Sequence, residues 1–328
     1  MNNRYQRPAL AALTLAVSSF GIVAAAHAKA VAAADQPERD SDAADAGAAA
    51  SNDAARWRIE PGLNLTARAI AARTTAPAED EVIDGNAFAL VAAPSLVLTN
   101  DDVAVTLRNT STRLEYEDPD RADRWQNTAR VSAQFNLSDA TTISGFGERA
   151  DNMLAAEFTS ADEWEFGGEI EHSFDASNRV QLGASWRLRS YDDSDNSTGN
   201  GLRVDGEYRY RFGPNHFAFL RGRYDEINSG NARRDLDRWL VEASYQRPIA
   251  KDLRVRSELS YQRLDFSGRT LASGGVRQDD LFWPELTLIW SPGPWRLAAE
   301  GRYITRNSTD PQFDRSGFRL ELEISYAF

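Results

Sequence analysis

The sequence predicts an all-β fold, a transmembrane up-and-down antiparallel β-barrel of about 14 strands over residues 57–328. Three observations predict it. Apolar and polar side chains alternate in stretch after stretch, the gaps between stretches alternate between long and short, and the chain ends on an unbroken alternating segment. Because a strand has a side-chain period of two, each stretch has one apolar and one polar face.

The last segment shows the pattern most clearly. Between Phe318 and Phe328 every second residue is apolar, and the residues between them are charged or polar. This segment resembles the closing strand of bacterial outer-membrane β-barrels of the porin-like superfamily, without indicating a subfamily. The resemblance implies that Tyr326 and Phe328 form part of the signal that the barrel-assembly machinery reads.

The bulk composition agrees with a barrel and excludes other classes. The chain has 328 residues, a net charge of -12, no cysteine and a mean hydropathy of -0.52. No apolar run after the N-terminus is long enough for a membrane helix, whereas barrel strands carry apolar residues only at alternate positions. The absence of cysteine excludes disulfides and thiol chemistry.

The N-terminus predicts export. Two arginines precede an apolar, Ala-rich stretch that ends in small residues at Ala28. We interpret residues 1–28 as a Sec signal peptide, because the apolar core is too short and too interrupted for an anchor helix. Residues 29–56, rich in Ala and Asp, have almost no large apolar side chains and are expected to form a disordered periplasmic tail. The predicted location is the outer membrane of a Gram-negative bacterium.

The strand count predicts the topology. About fourteen strands of roughly 10–13 residues alternate between short turns, predicted to be periplasmic, and longer outer loops. The even count places both termini in the periplasm. Pro94 and Pro284 interrupt two strands, where we expect β-bulges. A change of register is expected between Val103 and Tyr116.

Aromatic residues are predicted to form two belts, one beside the long loops and one beside the short turns, as at membrane interfaces. We place Tyr116 and Tyr191 in the first belt and Phe217 in the second. A large soluble β-sandwich, the main alternative, would not sort aromatic residues by strand end.

The residues between the apolar ones are predicted to line a wet lumen. Near mid-strand they form a mainly acidic constriction of Glu169, Glu207, Arg221, Glu242, Glu258, Glu300 and Glu321. Toward the short turns they form a basic periplasmic vestibule of Arg209, Arg211, Arg254, Arg256 and Arg296. Carboxylate rings would favour cations weakly. We favour the alternative, that these charges form cross-strand ion pairs that stiffen the wall.

Catalysis is not expected. Apart from His27 in the signal peptide, the chain has only His172 and His216, both beside short turns and without a Ser, Asp or Glu placed for nucleophilic catalysis. No metal-binding motif or phosphate-binding loop occurs, so we expect no cofactor and no metal. The acidic outer loops, such as Asp192 to Asn200, either bind cations that bridge to lipopolysaccharide or, as we favour, form a solvated face.

These features predict an outer-membrane channel for passive passage of small polar solutes. The expected partners are outer-membrane lipid and lipopolysaccharide, the barrel-assembly machinery and small polar solutes, and no nucleic acid. One alternative is an export conduit for exopolysaccharide or another envelope product, which predicts stacked aromatic rings in the lumen, where only Trp283 is expected to face inward. Another is a non-conducting structural or adhesive barrel.

Overall fold

The computed structural model describes residues 57–73, 85–100, 102–118, 122–155, 159–192 and 197–328, in which the chain forms fourteen strands of 13 to 18 residues. The strands are β1 (Arg58–Arg73), β2 (Gly85–Thr99), β3 (Val103–Tyr116), β4 (Arg124–Ser138), β5 (Thr141–Ala155), β6 (Thr159–Ser173), β7 (Asn178–Tyr191), β8 (Thr198–Gly213), β9 (His216–Ser229), β10 (Leu236–Ala250), β11 (Leu253–Thr270), β12 (Val276–Trp290), β13 (Trp295–Ser308) and β14 (Arg315–Ala327). The predicted signal peptide and tail lie outside the described residues.

The strands form one closed antiparallel barrel in which each pairs with its neighbours in the chain and β1 pairs with β14. At the seam, Asn64 lies opposite Ala327, and the main-chain N–H of Phe328 donates to the carbonyl of Leu63 at 2.9 Å. The predicted fold and strand count are confirmed. The strands are longer than predicted, because the alternating pattern marks only their central parts.

Two short 3-10 turns, Ala232–Arg234 and Pro311–Phe313, follow β9 and β13. In the described part of the chain, no helix has the length and apolar character needed to cross a membrane.

The two ends of the barrel differ in their connections. At one end, here the turn end, two to four residues join the strands; at the other, the loop end, three to eleven do. Asn215 and Asp252 complete two-residue turns with φ of 54° and 59°, a conformation that Asn and Asp adopt more readily than most residues. The N–H of Ser177 and both nitrogens of Asn178 donate to the carboxylate of Asp175, which lowers the pKa of Asp175 below its usual range.

The prolines are accommodated without the expected bulges. Pro94 lies opposite Leu63 in the ladder with β1, while the pairing with β3 stops at Ala92 and resumes in the same register at Ser95. Pro284 likewise pairs with β11 and leaves a gap toward β13. Because proline lacks an N–H, each interrupts one ladder and spares the other. The register change predicted within β3 is also absent, since both ladders of this strand keep one register.

The outer surface carries the apolar residues of the alternating pattern, with aromatic rings at two levels. On β12, Phe282 and Trp290 face outward eight residues apart, which is roughly 26 Å along a strand. At the loop-end level, the Tyr261 hydroxyl donates to the Asp280 carboxylate at 2.6 Å and the Tyr224 hydroxyl donates to Asp237 at 3.2 Å. Each ring thus lies on the apolar band with its hydroxyl directed toward the polar side, as expected at a membrane interface.

Three of the predicted belt residues are exceptions. Tyr116 packs against a buried cluster on the inner face, Tyr191 is 4% exposed on the inner face, and Phe217 lies opposite the inward-facing Gln246. They were assigned by their nearness to a loop or turn. Each is shifted by one residue from the lipid-facing residues of its strand. This place in the alternation predicts the inner face better than nearness to a loop or turn does.

Single-cysteine labelling tests the assignment of the two faces, because the natural chain has no cysteine. Leu259 faces outward and Ser132 faces inward, and each is the seventh residue of its strand counted from the turn end. With the protein in lipid vesicles, we expect a polarity-sensitive fluorophore at position 259 to report hydrocarbon and one at position 132 to report water. Equally wet surroundings would contradict a lipid-facing outer surface.

Candidate functional site

The inner face of the barrel contains all twelve residues predicted to line the lumen, and the structure divides them into three groups. Near a cavity in the wall lie Glu169, Glu207 and Arg221. Farther around the barrel, β10 to β14 carry Glu242, Glu258, Glu300 and Glu321. At the turn end lie Arg209, Arg211, Arg254, Arg256 and Arg296. The predicted roles in selectivity remain predictions.

Beside the cavity, seven charged side chains of β6 to β10 form a largely buried ion-pair network. We call it the Asp225 network; it comprises Glu163, Glu165, Arg187, Arg189, Arg203, Asp225 and Arg238. Asp225 is 3% exposed and accepts hydrogen bonds from Arg187 at 3.0 Å, from Arg238 at 2.9 Å and from Arg203. Arg187 also donates twice to Glu163, at 2.9 and 3.1 Å. Such bidentate, charge-assisted bonds fix the geometry of both partners.

The Asp225 network connects strands that are not neighbours. Arg187 on β7 reaches Asp225 on β9 across β8, where the residue opposite Arg187 is Gly201. A Cβ atom at Gly201 would collide with the main-chain carbonyl of Glu226. The alternation of side chains places these charges on the inner face, but it does not predict pairs that skip a strand.

A cavity of about 230 Å³ opens in the same wall. Its lining includes four arginines and four carboxylates: Arg130, Arg203, Arg221, Arg223, Glu165, Glu169, Asp205 and Glu207. Glu207 accepts bonds from Arg209 at 2.8 Å and Arg221 at 2.7 Å, and Gln181 donates to Glu169 at 2.8 Å. The cavity therefore presents many hydrogen-bonding groups with little net charge.

Glycines on the inner face make room for this cavity. A Cβ atom at Gly167 would lie 2.6 Å from the Cβ atom of Ser185 and 2.7 Å from the ring of Phe146, so a glycine here lets both side chains approach β6 closely. A Cβ atom at Gly183 would lie 3.0 Å from the Asp205 carboxylate. The guanidinium of Arg130 lies 3.9 Å from the centre of the Phe146 ring, so aromatic and cationic surface meet beside the cavity.

The inner face of β10 to β14 is more acidic than the face beside the cavity. We call Glu242, Glu258, Glu285, Glu300 and Glu321 the acidic belt. Glu258 lies directly opposite Glu285, and Glu300 lies directly opposite Glu321, an arrangement of like charges that is unfavourable unless compensated. Arg302 bonds to Glu285 at 2.7 Å and to Glu300 at 3.1 Å, and Arg319 bonds to Glu321 at 2.6 Å.

Glu285 was missed by sequence reasoning, although it shares the inward phase of Trp283 on β12. Throughout the described ranges, no three His, Cys, Asp or Glu side chains form a group that could hold a metal ion.

The predicted basic vestibule is partly neutralised. Arg209 bonds to Glu207, Arg296 bonds to Glu323, and Arg254 donates to the Ser291 hydroxyl at 3.3 Å. The Arg209 guanidinium also lies 5.1 and 5.8 Å from the ring centres of Phe217 and Phe219. These two rings face the lumen with their centres 6.4 Å apart and their planes 19° apart.

The expectation that only Trp283 faces inward is therefore wrong. Phe146, Phe217, Phe219 and Phe266 share the inner face with it. Three apolar clusters also occupy this face at the loop end. They comprise Leu240, Leu264, Phe266, Leu281, Trp283 and Ile304; Ile70, Ala72, Ala87, Ala89 and Leu114; and Met153, Ala161 and Tyr191. The lumen face is polar at mid-depth and partly apolar toward the loop end.

The two described histidines lie at the turn end. A ring nitrogen of His172 lies 2.9 Å from the Thr141 hydroxyl, and one of His216 lies 2.9 Å from the Tyr245 hydroxyl. Both histidines also contact outward-facing aromatic rings, of Phe174 and Phe212 respectively. These contacts fit interfacial side chains, and the expectation that the protein is not an enzyme stays a prediction.

Comparison with known proteins gives a structural match without a sequence match. No protein-family model matches the chain, and no curated protein is significantly similar to it. The outer membrane channel DcaP of Acinetobacter baumannii is similar in structure, with a TM-score of 0.51 and 13% identity over 83% of this chain and 97% of DcaP.

Two further structures are similar over most of the chain. A bacterial polysaccharide outer membrane secretin matches with a TM-score of 0.48 and 12% identity over 82% of this chain and 98% of its own. A loop L8 deletion mutant of OmpT, an outer membrane protein of Vibrio cholerae, matches with a TM-score of 0.47 and 9% identity over 83% of this chain and 99% of its own. The chain therefore has the fold of the outer-membrane β-barrel proteins, as a closed barrel of fourteen strands.

Proposed function

We propose that this barrel is an outer-membrane channel through which small polar solutes pass passively, with the turn end in the periplasm. The observation that carries the proposal is the cavity of about 230 Å³ in a lumen wall rich in charged side chains. Side chains that already pair with one another can exchange hydrogen bonds with a passing solute, so binding stays weak enough for release. The proposed cation preference is weak, because most carboxylates near the cavity are paired.

Single-channel recording in planar bilayers tests this function. We expect discrete conductance steps from the natural protein. Gly183→Leu should lower the conductance roughly by half, because the new side chain fills the floor of the cavity. Gly222→Leu is the matched control, since Gly222 faces outward and a Cβ atom there meets nothing within 4 Å.

Two outcomes of this recording would contradict the proposal. Equal conductance of the two variants would remove the cavity from the solute path. Absence of conductance steps from the natural protein would contradict the channel and favour a structural or adhesive barrel.

One observation favours an export conduit as the second candidate. Phe217 and Phe219 are stacked on the inner face near the turn end, with Arg209 and Arg221 beside their rings. Aromatic rings flanked by arginine suit the apolar faces and acidic groups of an exopolysaccharide. Such a conduit would show weak ion conductance, so the same recording separates the two candidates.

A further inference from the structure

The outer surface of β3 and β4 carries a small polar patch within its apolar band. Asn109 and Ser111 share the outward phase of Leu107 on β3, and Asn127 lies directly opposite Ser111 on β4. The three polar side chains are half-buried at this surface. We call Asn109, Ser111 and Asn127 the Asn109 patch.

Exposed apolar side chains bound the Asn109 patch toward both ends of the barrel. Toward the turn end, Leu107 and Val131 lie opposite each other and are exposed. Toward the loop end, Trp125 on β4 and Leu90 on β2 are exposed. The Asn109 patch therefore lies at the depth of the lipid hydrocarbon, where no water is present to satisfy polar groups.

The side chains of the Asn109 patch form a hydrogen-bonded chain with two open ends. The Asn109 amide nitrogen donates to the Ser111 hydroxyl at 3.3 Å, and this hydroxyl donates to the Asn127 carboxamide oxygen at 2.8 Å. Within the described ranges, the carboxamide oxygen of Asn109 and the amide nitrogen of Asn127 form no side-chain hydrogen bond. The chain thus ends in one acceptor and one donor, and hydrocarbon can satisfy neither.

Small residues leave the Asn109 patch accessible from the side. Ala129 lies opposite Asn109, and Ala92 lies opposite Ser111. Because an alanine side chain projects little, another protein surface can approach the patch closely, as small residues permit between packed membrane segments.

We propose that the Asn109 patch is a contact surface for a second copy of this chain in the membrane. A second copy presents the same acceptor and the same donor, so Asn127 of one copy can donate to Asn109 of the other. Lipid is a poorer partner, because its hydrocarbon has no hydrogen-bonding group and its headgroups lie at the level of the aromatic belts. This contact concerns the outer surface, so it is independent of conduction through the lumen.

Cross-linking of single-cysteine variants in native membranes tests the contact, since the natural chain has no cysteine. Ala129→Cys places a thiol beside the Asn109 patch. Ala243→Cys is the matched control, because Ala243 is an exposed, outward-facing alanine on β10. With a short bismaleimide, we expect covalently linked pairs of the chain from Ala129→Cys and almost none from Ala243→Cys. Equal yields would indicate random encounters and would overturn the proposal.

Leucine substitutions separate the contact from folding. Asn109→Leu combined with Asn127→Leu should weaken self-association about tenfold, as measured by sedimentation equilibrium in detergent micelles. Both changes place apolar side chains on a lipid-facing surface, so the barrel should still fold, which heat-modifiable migration on gels checks. Ser257→Leu, at an exposed outward position on β11, should leave self-association unchanged.

Two results of the sedimentation experiment would overturn the proposal. A natural protein that sediments as a monomer at every concentration would exclude a second copy as the partner. A double variant that associates as tightly as the natural protein would remove the Asn109 patch from the contact.

Discussion

Asp225→Ala is expected to lower the free energy of unfolding by about 3–5 kcal/mol, because it leaves three arginines, two of them buried, without their shared carboxylate. Arg187, Arg203 and Arg238 all donate to Asp225, and the Asp225 side chain is 4% exposed. Urea unfolding in lipid vesicles, followed by tryptophan fluorescence, measures the loss.

Glu171→Ala is the control for this loss. Glu171 also pairs with one arginine, Arg179 at 3.3 Å, but its side chain is 36% exposed and the released arginine stays hydrated. We expect Glu171→Ala to lower the free energy of unfolding by only about 0–1 kcal/mol. Similar costs for the two substitutions would mean that the Asp225 network is solvated and that burial does not determine its strength.

The second large effect is expected in assembly. The double substitution Tyr326→Ala and Phe328→Ala should strongly reduce the amount of folded barrel in the outer membrane. These rings lie at the turn end of β14, where Trp295 packs on Tyr326 at 4.6 Å and Tyr326 packs on Phe328 at 4.5 Å. Heat-modifiable migration of the membrane fraction on gels measures the folded amount.

Phe318→Ala is the matched control, because Phe318 faces outward on the same strand at the loop end and is 46% exposed. We expect little loss of assembly from this change. Refolding of the purified variants into lipid vesicles then distinguishes recognition from stability. A double variant that assembles normally in cells would show that the terminal aromatic residues are not an assembly signal in this protein.

The alternation of side chains was sufficient to predict the fold, since every second residue must face one medium in a closed barrel. The prediction of the aromatic belts failed where a residue's place in the alternation disagrees with its nearness to a turn. Phe217 lies next to a turn, which favoured an interfacial assignment, but Ala218 and Leu220 hold the outward phase. Phase is fixed by the pleat, so it overrides nearness to a turn.

The partners of the lumen charges could not be predicted from the chain alone. The register between two neighbouring strands determines which residues lie opposite each other. That register depends in turn on turn geometry at residues such as Asn215 and Asp252. Arg187 would have been assigned to Glu165, which lies directly opposite it, whereas the structure pairs it with Glu163 and Asp225. Side-chain length and the close approach of the β9 main chain to Gly201 decide these contacts, and neither appears in a pattern of alternation.

The pairing of charges around the cavity also determines how far the wall acts on a solute. Opposite charges about 3 Å apart, as between Arg187 and Asp225, form dipoles whose potentials largely cancel at distances well beyond their separation. Salt water screens the remainder within about 8–10 Å. The paired charges around the cavity are therefore expected to act on a charged molecule only at contact distance, and not from the bulk solution.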